Sequence, residues 1–453
     1  MLALDVGTSS VRAGVFDETG APLEGVEAQT RHELTHGHEG AAEFDAEHLV
    51  DVAAAAIEDV RREAGGEVDA ICAACFWHSL VPVDSAGRAI GPLLTWRDTR
   101  SAEAAARLAR RVDPEAVHAR TGCVLHPSFW PAKLAWLAET DPDTFARAAR
   151  FLSFADYLYL RLAGDGPTSL STASGTGLLD VNEGRWDAEL LDVLRLDPSR
   201  LPAISDDPIG DALPWFPALG DGACSNVGAG CLTRDRAALM IGTSGAYRAV
   251  FEADRGDPRP GLFLYRLDDR RLVEGGSLSD GGNLYAWLKD TLRLPGNVDV
   301  AARPPDAHGL TFLTLLGGER SPGWNARARG AVAGLHFGTT PADLLQAALE
   351  GIAYRVAEIA DRMPEVHEVV ATGRALLSDR SWIQVLADVL ERPVSVSAVP
   401  EASLRGAAVV ALERLGVVPD PAPIGEIVQP RAERFEAYRA ARERARALYA
   451  AVT

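Results

Sequence analysis

Positive charge is what this 453-residue chain has least of for its size: 45 lysines and arginines stand against 64 aspartates and glutamates, a formal charge of −19. Such a surface repels nucleic acid and anionic membranes alike, so neither is expected as a partner. A bound phosphate is not excluded, because backbone N–H groups and a cation can hold one locally. No uninterrupted apolar run reaches the roughly 18 residues of a membrane span. Aromatics make up 7 % of the chain and cysteines number five. An odd, small cysteine count in a long chain gives no disulfide framework and fits a reducing, cytoplasmic setting. Cys72 and Cys75 form a Cys-x-x-C, but they lie in the apolar run Ala70–Phe76 and no second pair completes a zinc site, so they are assigned to a buried strand. The chain opens on Leu2-Ala3-Leu4, which reads as a first strand and not as a targeting segment.

The length asks for two cores. Apolar density and turn residues predict strands at Leu2–Val6, Val11–Phe16 and near Leu23–Glu27, an antiparallel meander. Helical spacing predicts a helix over Asp45–Arg62 with Asp45 as N-cap, followed by a buried strand at Val68–Phe76. Further helices are expected at Ser101–Arg111, Pro131–Glu139, Pro142–Ala148, Asp187–Leu194 and Trp382–Leu390. The alternation calls for an α/β fold. Five prolines fall between Pro198 and Pro217 and mark the best boundary, which divides the chain into 1–213 and 214–453. A charged amphipathic helix over 430–452 closes the second part.

Strand and turn logic then starts again. Gly7-Thr8-Ser9 heads one hairpin and Gly242-Thr243-Ser244 a second; each is preceded by an apolar strand and followed by Phe16-Asp17 or Phe251-Glu252 at the same distance. Two copies of one hairpin suggest a duplicated domain whose turns face each other across a cleft. In Asp5-Val6-Gly7-Thr8-Ser9-Ser10 the glycine allows a tight turn whose N–H groups and hydroxyls converge on phosphate oxygens. Asp5 offers a hard carboxylate for Mg²⁺, and Arg12 either meets phosphate or faces solvent. A plain hairpin turn would use the same residues, and the second copy tips the balance. In Leu219–Gly230, glycines flank Asp221 at the start of a small-residue helix, where the macrodipole favours an ionised carboxylate. That suits a general base for a hydroxyl; an N-cap is the bland alternative. His78, Trp96, Arg97, Asp98 and Arg100 cluster on loops in a composition that suits a polyol pocket, although an Arg–Asp pair is commonly a surface salt bridge. Lys133 closes a polar loop. Thr372-Gly373-Arg374-Ala375 joins a strand to a helix and lets a nucleotide approach the backbone.

Taken together these residues resemble the FGGY family of carbohydrate kinases, from Met1 to about Gly416. The motifs are Leu4–Arg12, Gly220–Gly230, Ile241–Gly245, Ala371–Val394 and Glu401–Ala408. Within the family the resemblance is to gluconate kinases, through Thr95–Ser101, Thr121–Lys133, Ile241–Ala246, Gly275–Gly282 and Gly317–Asn325. The resemblance implies two actin-like (ribonuclease H-like) domains around a catalytic cleft. It implies ATP and Mg²⁺ as cofactors, Asp221 as the base on the acceptor hydroxyl and Asp5 as the Mg²⁺ carboxylate. Thr8 and Thr243 would contact the ATP phosphates with Gly7, Ser9, Arg12 and Gly242. Gly317, Gly373 and Arg374 would border the nucleotide, and His78, Trp96, Asp98, Arg100 and Lys133 the acceptor. Arg374 departs from the family's usual second glycine: its side chain either stacks on the base or fills its place. The expected reaction is phosphorylation of a sugar acid or polyol, gluconate to 6-phosphogluconate first and a pentulose such as xylulose second. A carboxylate on the acceptor would need a cation, for which Arg97, Arg100 and Lys133 are the candidates. An actin-like ATPase or a sugar-binding sensor are the rivals from other classes. The partner is a small molecule; self-association as a homodimer is left open.

Overall fold

The computed structural model describes residues 1–37, 40–65, 68–210, 212–296 and 298–453. Two mixed sheets organise it. In the first, Leu2–Val6 pairs antiparallel with Ser10–Phe16, from Leu2↔Val15 to Val6↔Val11, and Pro22–Arg31 continues the meander. On its other side Leu2–Val6 runs parallel to Ile71–Cys75, which in turn runs parallel to Leu219–Gly220. The two central strands are buried along their whole length, as a sheet covered on both faces requires. The expected helix forms at Ala46–Glu63: Asp45 accepts from the N–H groups of Glu47 and His48, and Leu49, Val50, Ala53, Ile57 and Val60 form the stripe that packs inward. The cap contributes about 1 kcal/mol and each large aliphatic about 1.5–3 kcal/mol.

The second sheet repeats this plan. Arg236–Ile241 pairs antiparallel with Gly245–Glu252 and parallel with Glu368–Thr372, and Val394–Ser397 lies parallel beyond that. Arg271–Leu278 takes the place of the third meander strand, with Phe263–Arg266 and Ile424–Val428 added at the edges. Parallel, parallel, central, antiparallel, antiparallel is thus the order in both sheets, and the duplication read from two short turns extends to whole domains.

The junction differs from the expected one. The proline-rich segment runs over the surface, but the chain then returns to the first sheet, where Leu219 and Gly220 pair with Ala74 and Cys75. The first sheet therefore keeps the chain beyond the 213/214 boundary: two short apolar residues find the open edge of a buried strand. The helix Asp221–Gly228 follows the last parallel strand of the first sheet, and Ala402–Arg414 follows that of the second. These equivalent helices cross with their backbones touching. A Cβ added at Gly228 would lie 1.8 Å from the Ala402 carbonyl oxygen, and one at Gly406 1.8 Å from that of Cys224. The two copies are joined at this crossing, not only by the proline-rich stretch. The terminal helix begins at Phe435, after a 3₁₀ turn at Ala432–Arg434, and buries Tyr438, Ala441 and Ala445 against the second core. All five cysteines are free and buried, Cys72 and Cys75 within their strand. Among the described residues no helix is long and apolar enough to cross a membrane.

Candidate active site

The first hairpin closes through the Gly7 N–H, which donates to the Ser10 carbonyl at 3.0 Å and leaves Thr8 half-buried and Ser9 exposed at the tip. Asp5 sits beside Arg12 in register, and Arg12 Nη1 donates to Asp5 Oδ2 at 3.2 Å. Arg12 Nε also lies 3.5 Å from Glu401 Oε2, at the start of the helix of the other copy. Burial pushes the Asp5 carboxyl up to about 7; Arg12 opposes this, and the charges of Asp221 and Glu401 add to it. Three carboxylates near one paired arginine form a donor set of hard oxygens that a divalent cation would relieve, so Asp5 fits Mg²⁺.

Asp221 is the first residue of its helix, and its Oδ1 accepts from the Gly222 N–H at 2.7 Å. The dipole was expected to hold this carboxylate ionised. Instead burial outweighs the attraction of Arg248, the Gly222 N–H and Arg320, and the carboxyl is raised above its ordinary range. A raised carboxyl is the better proton acceptor once ionised. The glycines around it make room for Trp77: a Cβ on Gly175, Gly220 or Gly222 would run into the indole.

In the second hairpin the Gly242 N–H donates to the Ser244 carbonyl at 3.0 Å and Thr243 is exposed. The Gly242 and Thr243 carbonyls accept from Gly282 and Asn283 at 2.9 and 3.0 Å, which ties the turn to the helix Gly282–Thr291. Gly373 has φ +90°, and a Cβ there would lie 2.6 Å from the Ile241 carbonyl oxygen, so only glycine fits between strand and helix. Arg374 next to it is exposed; burial raises the nearby Glu401 carboxyl, and Arg12 and then Arg374 oppose that shift. The Gly317 N–H points to Asp280 Oδ2 at 3.4 Å. Asp280, which the sequence reading passed over, is buried and pushed up to about 6, chiefly by desolvation, while Arg97 on the other copy opposes the shift.

The acceptor-side candidates divide. His78 is brought into the cleft. It is buried, it holds φ 70°, a strained conformation for a non-glycine residue, and its Nδ1–H donates to the Gly175 carbonyl at 2.5 Å, leaving Nε2 to accept from Arg320 Nη2 at 3.3 Å. Burial and Arg320 keep the ring neutral. Trp96 is half-buried beneath the Arg320 guanidinium, 5.0 Å from its ring centre. Asp98, Arg100 and Lys133 are not placed to meet a ligand. Asp98 accepts from the Ala42 N–H at 3.1 Å and from Arg100, whose Nη2 also holds Glu43 at 2.6 Å. Lys133 is 1 % exposed and donates to the carbonyls of His78 and Ser128, at 2.5 and 2.8 Å. Burial lowers its ammonium to about 7. These three fix the loops under the pocket.

Two further arginines, Arg248 and the Arg320 of the Gly317–Asn325 stretch, were given no role by the sequence. Arg248, 4 % exposed in the second strand of the second hairpin, has Nε and Nη2 buried without a hydrogen-bond partner among the described residues. Arg320, 8 % exposed, has Nε in the same state. Burial lowers both, Arg248 to about 10, and the charge of Asp221 opposes this in each. The signal was a charged residue inside the apolar run Gly245–Glu252. A separate cluster, Asp306, His308 and Glu350, lies in the second core. There the Leu310 N–H occupies His308 Nδ1, His308 Nε2–H donates to Glu350 at 3.1 Å, and Gln346 and Tyr354 donate to the same carboxylate. His308 and Glu350 are thereby taken up by protein partners, while Asp306 Oδ1 is buried without one among the described residues.

A duplicated ribonuclease H-like fold with a Gly-Thr-Ser turn in each copy, and with Asp5 and Asp221 close enough for their charges to interact, is the architecture of a phosphotransferase. Residues 1–207 match the N-terminal domain, and residues 238–413 the C-terminal domain, of the FGGY family of carbohydrate kinases; the chain belongs to that family and is a carbohydrate kinase. It is 26 % identical to a gluconokinase of Bacillus subtilis (strain 168), over 92 % of this chain and 88 % of that one. To a xylulose kinase of Escherichia coli (strain K12) it is 30 % identical, over 99 % and 98 %. A crystal structure of gluconate kinase from Lactobacillus acidophilus superimposes with a TM-score of 0.90 at 26 % identity, covering 99 % of this chain and 98 % of the other.

Proposed function

We propose that the protein transfers the γ-phosphoryl group of ATP to a hydroxyl of gluconate, giving 6-phosphogluconate and ADP. The observation that carries the mechanism is the raised, half-buried carboxyl of Asp221 at the meeting of the two copies. Asp221 takes the proton of the acceptor hydroxyl as that oxygen attacks the γ-phosphorus; the P–O bond to the β-phosphate breaks and its electron pair leaves with ADP. Thr8 and Ser9 from one turn and Thr243 from the other hold the phosphates with the N–H groups of Gly7 and Gly242. Arg12 balances charge beside Asp5, and Gly317, Gly373 and Arg374 border the nucleoside. Mg²⁺, held by Asp5, would neutralise charge on the phosphate oxygens. Little covalent work is asked of the protein beyond position and electrostatics.

Gluconate as acceptor is supported by the likeness to the Bacillus and Lactobacillus kinases. Xylulose is the second reading, supported by the likeness to the Escherichia enzyme. The test is ADP release over gluconate, xylulose, ribulose and glycerol with Asp221→Ala as control. Gluconate is expected to give the highest kcat/KM, and a preference for any neutral acceptor counts against it. ATP hydrolysis indifferent to all four overturns the kinase reading for this site.

A further inference from the structure

Arg248 and Arg320 are buried cations with N–H groups unused among the described residues, and the charge of Asp221 acts on both. A buried donor left unpaired costs free energy, and a buried guanidinium costs more. Two like charges held together raise that cost further, so the arrangement is stable only if something else in the fold enforces it and becomes favourable once an anion enters. The fold does enforce it. Arg248 reaches the cleft between two glycines, one from each copy: a Cβ on Gly222 would lie 2.0 Å from its Nη1, and one on Gly275 2.8 Å from its Cγ. Arg320 is fixed from the first copy, by the His78 Nε2 acceptor at 3.3 Å and the Trp96 face at 5.0 Å.

We infer that Arg248 and Arg320 are the specificity-determining pair for the acceptor, gripping its carboxylate while Asp221 takes the proton from a hydroxyl at the other end of the chain of carbons. This rests on the sugar-kinase reading of Asp221 and deepens it by assigning the acid group of the substrate to named residues. Their position separates this role from phosphate binding. Arg320 is attached to His78 and Trp96 on the acceptor side, whereas the phosphate turns are served by Arg12. It also reassigns the cation: Arg100 is taken up by Asp98 and Glu43, Lys133 by two carbonyls, and Arg97 lies over the Trp96 ring with the charge of Asp280 acting on it. A planar guanidinium fork matches a carboxylate in a way that an ammonium does not.

The experiment compares gluconate with glucitol, the same carbon chain with a CH₂OH in place of the carboxylate. Both turnover and nucleotide-free calorimetric binding are measured, for the wild type, Arg248→Met, Arg320→Met and the fork-breaking Arg248→Lys. The wild type is expected to favour gluconate in both measurements. Each methionine variant should lower the gluconate-to-glucitol ratio of kcat/KM about 50-fold, and Arg248→Lys should recover part of it. Equal losses for the two acceptors overturn the inference and assign the arginines to the phosphoryl group; so does a wild type that binds both compounds alike. If a methionine variant fails to fold, the Arg248→Lys ratio decides, and an unchanged ratio there contradicts the fork. A wild type with no acceptor-dependent ADP release would sink the kinase reading, while the binding comparison would still decide the role of the arginines.

Discussion

The two halves of this molecule place different chemistry on the same scaffold. After the last parallel strand of the first copy comes Asp221, half-buried, raised and opposite the cleft arginines; after that of the second comes Glu401, with a side chain 41 % exposed and paired with Arg12. After the middle parallel strand the first copy has Trp77-His78 and the second Gly373-Arg374. The first hairpin carries the acid–base pair Asp5–Arg12, while in the second the place of Asp5 falls to Met240, opposite Ala246, and its arginine, Arg248, has Nε and Nη2 without a partner among the described residues. The duplication gives two Gly-Thr-Ser turns, which under the proposed function serve one triphosphate while Asp221 alone accepts the proton. Desolvation raises both carboxyls, so the copies differ in the cations that oppose it: Arg248 and Arg320 at Asp221, Arg12 and Arg374 at Glu401.

That comparison breaks most easily at the equivalent acids. Asp221→Ala should lower kcat about 1,000-fold, while Glu401→Ala changes it less than about tenfold; steady-state ADP release measures both, and similar losses would dissolve the distinction. Next, Asp5→Asn should cost about 100-fold in kcat and raise the magnesium requirement. Met240→Leu, at the matching place in the second copy, should leave both within about twofold. The turns differ in stability terms too. Gly373→Ala forces a positive φ on alanine against the Ile241 carbonyl and should cost about 1–3 kcal/mol, read by chemical denaturation. Gly7→Ala, whose Cβ would meet only Ser10 at 3.4 Å, should cost about 0.5 kcal/mol or less. The smallest effect is on selectivity: Lys133→Met should lower stability by about 1–2 kcal/mol through two orphaned carbonyls and leave the gluconate-to-glucitol ratio where it was.

The fold was legible because its signals are local. Leu2–Val6 and Ser10–Phe16 announce themselves by apolar density around a Gly-Thr-Ser turn, and Asp45 with its apolar stripe announces a helix. Asp221, the proposed base, stood out for the same reason, by its glycines. The surroundings of the acceptor candidates were not. Asp98, Arg100 and Lys133 have the composition of a polyol site, yet composition cannot say that Glu43 and the His78 carbonyl already claim their charges. Arg248 and Arg320 lie 72 positions apart and meet only through tertiary packing. The short return of Leu219-Gly220 to the first sheet was hidden by the prolines before it, since turn chemistry marks where a chain bends and not which sheet it rejoins.

The claim on which the rest depends is that the half-buried carboxyl at position 221 removes the proton of the acceptor hydroxyl. Its raised affinity for a proton in the folded state has two consequences. As pH rises past the ordinary value of 3.8, ionisation of Asp221 begins to cost the folded state stability. Over the same rise the base becomes competent. The direct test is the pH dependence of kcat at saturating ATP, magnesium and gluconate. The predicted result is an acid limb with its midpoint above 3.8 that is lost in the residual rate of Asp221→Ala. A limb that survives in the alanine variant, or a rate flat down to that pH, would contradict the account.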